Sequence, residues 1–114
     1  MSNRIIKFRA WNDGEMIYSQ DENRQSQSML SVGDILSRFE TIMQFTGLTD
    51  KNGIEIYEGD ICEGHDDGRG KIVWTEFDGG YDYVFSDEGN VGIWEVKKDL
   101  VVIGNIHQHP DLLT

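Results

Sequence analysis

The sequence contains a single cysteine, Cys62, and a single proline, Pro110. One cysteine excludes an internal disulfide and any zinc or iron–sulfur centre built from several thiolates, and this usage points to a cytosolic compartment. No apolar run approaches the ~20 residues that cross a bilayer, and no signal-peptide pattern opens the chain. Positive charge is also scarce: 10 Lys and Arg stand against 21 Asp and Glu, a formal net charge of −11. That balance opposes general electrostatic attraction to nucleic acid or to anionic lipid. Phosphate-cradling motifs are missing, because Gly64-x-x-x-Gly68 and Gly68-x-Gly70 lack the lysine and helix that would follow them. No Gly-x-Ser-x-Gly nucleophile elbow occurs, and no acid pair fits the EF-hand calcium loop.

What remains is a chain of 114 residues, 38% hydrophobic and 11% aromatic, which is one domain's worth and too apolar to be disordered. A chain of this size buries about two-thirds of its unfolded surface. Thirteen glycines, several of them in Asp-Gly or Asn-Gly pairs, predict short strands joined by tight turns. An N-terminal hairpin is expected over residues 4–18, with Ile6, Phe8 and Ala10 on one face, Lys7 and Arg9 on the other, and Asn12-Asp13-Gly14 as its turn. Residues 19–28 are polar without an apolar period and read as a mobile loop. A short helix is expected over 29–39, with Ser31 or Ser28 as its cap. Strands dominate the barrel part, 40–106, followed by a polar tail, 107–114. The expected fold is therefore mainly β: a small, partly open barrel, SH3-like in size, preceded by the hairpin and the helix.

Charge is unevenly distributed. Residues 1–45 hold six acids and five bases, net −1, whereas residues 46–114 hold fifteen acids and five bases, net −10. The plainest reading is a solvated acidic surface; a steering field for a partner, or for a head-to-tail contact with a second copy, is the sharper one.

Few residues offer chemistry. His107, His109 and Asp111 alternate, so an extended backbone would place them on one side as a start for a metal site, but Pro110 and the polar surroundings favour a solvent-facing segment. His65-Asp66-Asp67 is the second metal candidate. Cys62 is flanked by acids, which raise a thiol pKa, so it reads as a small buried hydrophobe rather than a nucleophile. Glu58 and Asp60 could act as an acid–base pair; turn chemistry is the simpler reading, with Gly59 at positive φ and Asp60 binding the next backbone amides. Trp74, Phe77, Tyr81, Tyr83, Phe85 and Trp94 could form a base-stacking platform, but their acidic setting favours core and protein contact. Of these, Trp74, Tyr81, Tyr83 and Trp94 are the candidates for a partner-binding surface. Lys7 and Arg9 form the one basic face that nucleic acid could use.

Four segments carry a family resemblance. They are Ile5-x-Lys7-Phe8-Arg9-Ala10-Trp11, the stretch Met43-Gln44-Phe45-Thr46-Gly47-Leu48-Thr49-Asp50-Lys51-Asn52-Gly53-x-Glu55-Ile56-Tyr57-Glu58-Gly59-Asp60-Ile61, then Gly70-Lys71-Ile72-Val73-Trp74, and finally Val102-Ile103-Gly104-Asn105-Ile106-His107-Gln108-His109-Pro110-Asp111-Leu112-Leu113. Together they resemble the YopX family of small phage and prophage proteins. His109-Pro110-Asp111 departs mildly from the Asn-Pro-Glu-like end common in that family. The resemblance implies a phage or prophage origin, the cytoplasm of a bacterial host, and a mainly β fold with a barrel-like part. It transfers no activity. Turn formers and core residues make up the shared motif, which is a signature of fold.

The functional expectation is a non-catalytic accessory protein that binds protein, either a second copy of itself as a homo-oligomer or a host factor, with no cofactor and no membrane or nucleic-acid partner. Two alternatives stand beside it: an acidic DNA mimic that blocks a host nucleic-acid-binding protein, and a metal-dependent hydrolase using His65, His107, His109 and nearby acids.

Overall fold

The computed structural model describes residues 7–19, 30–64, 68–75, 80–86, 89–92 and 99–113, with residues 75, 81–83, 85–86 and 89–92 described as backbone. The segment 20–28 of the expected loop, His65 to Asp67, Phe77 and Trp94 lie outside the described residues. The chain divides into two compact units, Met1–Gly47 and Leu48–Thr114, and the fold is mainly β, as expected.

The first unit begins with the hairpin β1 (Phe8–Asn12) and β2 (Glu15–Tyr18), in which Arg9 faces Tyr18 and Asn12 faces Glu15. Its turn is set by Asp13 and Gly14, both at positive φ (49° and 82°), the backbone twist that suits a two-residue hairpin loop. On its other side β1 pairs antiparallel with β3 (Ile42–Thr49), Arg9 opposite Met43 and Ala10 opposite Ile42. Between these strands the chain forms α1 (Val32–Arg38), which packs on β1 and buries Ile35. Ser31 caps α1: its hydroxyl accepts the Asp34 N–H at 3.1 Å, and the Asp34 carboxylate accepts the Ser31 N–H at 3.0 Å. This capping box satisfies two amides that a helix start leaves orphaned.

One expectation for this unit is corrected. Arg9 and Met43 share a sheet face with Lys7 and Phe45, and that face is covered: Lys7 is 5% exposed and Arg9 4%. The opposite face is covered as well, with Ala10 fully buried. Alternation fixed which side each residue takes, but it could not show that both sides are buried. The Lys7 amine sits 4.9 Å from the centre of the Phe45 ring, so its methylene stem is packed and its charge is held by the ring face. A basic outer surface for nucleic acid is therefore not present on β1.

β3 runs through Gly47, at φ 88°, rather than ending there, and its last residues, Leu48 and Thr49, belong to the second unit. There follow β4 (Glu55–Tyr57), β5 (Asp60–Glu63), β6 (Arg69–Thr75), β7 (Gly80–Ser86), β8 (Gly89–Gly92) and β9 (Val101–Asn105). Five of these form an antiparallel sheet in the order β8-β7-β6-β5-β9, curled as a half-barrel. Ile61 pairs with Gly104 and Cys62 with Val102, leaving Ile103 as the extra residue of a bulge, a feature that bends a strand and increases its twist. The core inside this curl is Ile56, Cys62, Ile72 and Leu100, with Leu48 and Val102 packed against it. Burying each of the larger aliphatic side chains is worth about 1.5–3 kcal/mol.

Candidate functional site

The two aspartates of the central motif hold backbone amides. Asp50 is buried; its Oδ1 accepts the N–H groups of Asn52 (2.8 Å) and Ile54 (2.9 Å), and its Oδ2 accepts the N–H of Val102 (2.9 Å) on β9. Its main chain closes the same turn, with N–H donating to the Ile54 carbonyl and C=O accepting from Gly53, which takes φ 83°. Lys51 N–H donates to the Leu100 carbonyl at 3.1 Å. Among the described strands β9 pairs with β5 alone, so this turn occupies backbone groups beside an edge strand, a way of blunting a sheet edge.

Asp60 is also buried, and its carboxylate accepts the Tyr57 N–H at 2.7 Å. Turn chemistry is present at Asp60, and one amide it holds, that of Tyr57, precedes it in the chain. Gly59 at φ 87° lets the main chain reverse, donating to the Ile72 carbonyl and accepting from Ile106. Cys62 is fully buried between strands. Burial, then the charges of Asp60 and Asp50, push its thiol up to about 12, so no thiolate forms near neutrality. Burial is the larger cause and the carboxylates the smaller, and both disfavour the thiolate that a nucleophile needs.

The segment after β9 folds back on its strand. Asn105 is buried; its Oδ1 accepts the N–H groups of His107 (3.1 Å) and Gln108 (2.9 Å), and its N–H donates to His109 Nδ1 at 3.2 Å. A short 3₁₀ helix, Pro110–Leu113, follows. Gly104 makes room for it: a Cβ there would lie 2.7 Å from His109 Nδ1 and 2.9 Å from Leu112 Cδ1. His109 thus uses one ring nitrogen, Nδ1, as an acceptor for a backbone amide. His107 is half-buried, while His109 and Asp111 are exposed. Among the described residues no group of three or more His, Cys, Asp and Glu side chains is arranged to hold a metal ion.

Of the aromatic candidates, Trp74 is 46% exposed on β6. Tyr81 and Tyr83 on β7 are in register with Trp74 and Ile72.

A cleft of ≈ 340 Å³ opens where the Asp50–Ile54 turn meets one end of the β5–β9 pair. Lys51, Glu63, Gly64, Asp99 and Val101 line it, and Glu63 and Val101 are register partners. Lys51 and Asp99 are exposed and Glu63 half-buried. Unlike Asp50 and Asp60, the side chains of Lys51, Glu63 and Asp99 make no hydrogen bond or ion pair among the described residues. Nothing in the residue spacing announces this cleft, because its three charges come from a turn, a strand end and the approach to another strand.

The fold and this geometry define a class: small β proteins whose central motif is turn and core, with two of its acids, Asp50 and Asp60, holding backbone amides. The model of the family described as YopX protein matches residues 7–114, and the chain belongs to the YopX family. Among solved structures it is similar to that of protein EF1440 from Enterococcus faecalis, at 31% identity and a TM-score of 0.63, covering 98% of this chain and 100% of that one. No curated protein matches the sequence.

Proposed function

We propose that this protein is a non-catalytic, protein-binding or self-associating module of phage or prophage origin. One observation carries the reading: the described side chains with the greatest chemical potential are consumed by the scaffold. Asp50 and Asp60 hold backbone amides, His109 Nδ1 accepts one, and the Cys62 thiol is buried and protonated. A protein of this kind acts by presenting a surface, and Trp74 is an exposed aromatic of the type enriched in interfaces. A native mass spectrum tests it, because assembly state and bound mass are read together. A defined multimer of bare chains is the expected result. A monomer at micromolar concentration removes the self-associating half. One metal ion per chain, lost when His107 and His109 become Ala, would replace the reading with the hydrolase.

The net −10 of residues 46–114 favours a second reading, an acidic DNA mimic. Mimicry needs carboxylates spaced over an exposed face, and Asp50 and Asp60 are withdrawn from any such face. Its mark is an affinity for a basic host protein that falls steeply with salt.

A further inference from the structure

We propose that the cleft lined by Lys51, Glu63, Gly64, Asp99 and Val101 receives a lysine or arginine side chain from a basic segment of a partner protein. This deepens the protein-binding reading above and rests on it. The first support is that the cleft's charges are uncommitted. Glu63 and Asp99 have no internal partner among the described residues, so an incoming cation displaces no existing contact. The second is sign. Among the described lining residues two carboxylates stand against one amine, inside a unit whose sequence sums to −10, and such a field draws basic ligands and speeds their encounter. The third is size. At ≈ 340 Å³ the cleft lies at the small end of ligand sites, room for one side chain with its adjoining backbone.

Lys51 orients the guest. Its ammonium repels a second cation at the rim and donates to a carbonyl of the docked segment. A metal ion fits less well: among the described lining residues two carboxylates are offered, with an ammonium among them, and a hard divalent cation needs six or more oxygens. An anion at Lys51 would face both carboxylates and the field of the unit.

The test titrates the full chain with fluorescein-labelled tetralysine and tetraglutamate peptides at low ionic strength. Three proteins are compared: the wild type, the pair Glu63→Gln with Asp99→Asn, and the pair Glu15→Gln with Glu40→Gln. Each pair removes the same charge, and the second sits on exposed residues of the first unit. The proposal expects tetralysine to bind the wild type, with affinity lost about three- to tenfold in the cleft pair and held within about twofold in the control pair. Equal losses in both pairs would reduce the effect to net charge and overturn the site. Preferential binding of tetraglutamate, or no binding of tetralysine, would overturn it as well. Circular dichroism confirms that each pair is folded. Self-association is read separately by native mass, so the cleft can fail while the general reading stands, and the reverse.

Discussion

In residues 1–47 the charges buried among the described residues are cations, Lys7 and Arg9; in residues 48–114 they are anions, Asp50 and Asp60. The two units solve the same problem with opposite ends of the side chain. A lysine carries four methylenes, so burial can be driven by its stem while the head group rests on an aromatic face, as Lys7 does over Phe45. An aspartate has almost no stem. It enters the interior only where backbone N–H groups aim at its oxygens, and Asp50 receives three of them. The difference teaches that the acidic excess of the second unit is not all surface: part of it is structural, holding a turn against an edge strand. Only the remaining acids are available to a partner.

The largest effect that would break this comparison is at Asp50. Replacing it with Ala leaves the amides of Asn52, Ile54 and Val102 without their acceptor. A partly buried amide so stranded costs about 1–3 kcal/mol. Allowing for some rescue by water, Asp50→Ala is expected to destabilise the protein by about 3–5 kcal/mol in urea titration. A loss under about 1 kcal/mol would mean that solvent replaces the carboxylate freely and that Asp50 is no different from a surface acid.

At Lys7 the expectation is smaller and depends on the replacement. Lys7→Met keeps the stem over Phe45 and removes the charge, and is expected to cost under about 1 kcal/mol, since an apolar residue of similar volume often substitutes well for a buried charge. Lys7→Ala removes the stem too and is expected to cost about 2 kcal/mol. The reverse order would show that the ammonium, not the chain beneath it, holds the first unit together, and the contrast with Asp50 would collapse.

Much of this fold was legible in the sequence because local rules decided it. Asn12-Asp13-Gly14 announced the positive-φ hairpin turn, and Ser31, one of the two serines expected as the cap, the helix start. The raised thiol of Cys62 was legible in direction: burial raises it most, and of the acids that add to it Asp60 is a near neighbour in sequence while Asp50 is brought there by the fold. The failures lay where tertiary packing decides. A pleat assigns Lys7 and Arg9 to one side but says nothing about a cover on that side. Asn105 organises the segment that follows it through contacts two and three residues on, which its residue type permits but does not demand. The cleft was the least visible of all, since Lys51, Glu63 and Asp99 share no motif.

The smallest predicted effect sharpens the comparison from within the first unit. Asp34 performs the task of Asp50, a carboxylate accepting a backbone N–H, but at an exposed helix start. The Ser31 backbone amide, and then its hydroxyl, hold the Asp34 carboxyl below its ordinary 3.8. A depressed folded-state pKa gives stability that is present above the unfolded value and lost as pH falls through the folded one. The Asp34 contribution is therefore complete above about pH 4 and disappears in stronger acid. Ser31→Ala, which removes the other half of the capping box, is expected to cost about 1 kcal/mol at neutral pH. Removal of Asp34 by Asp34→Ala should flatten part of the acid limb of the stability curve while leaving urea midpoints near neutrality far closer to wild type than Asp50→Ala does. If the two aspartates instead proved equally costly, burial would not be what separates them, and the number of amides held would have to carry the distinction alone.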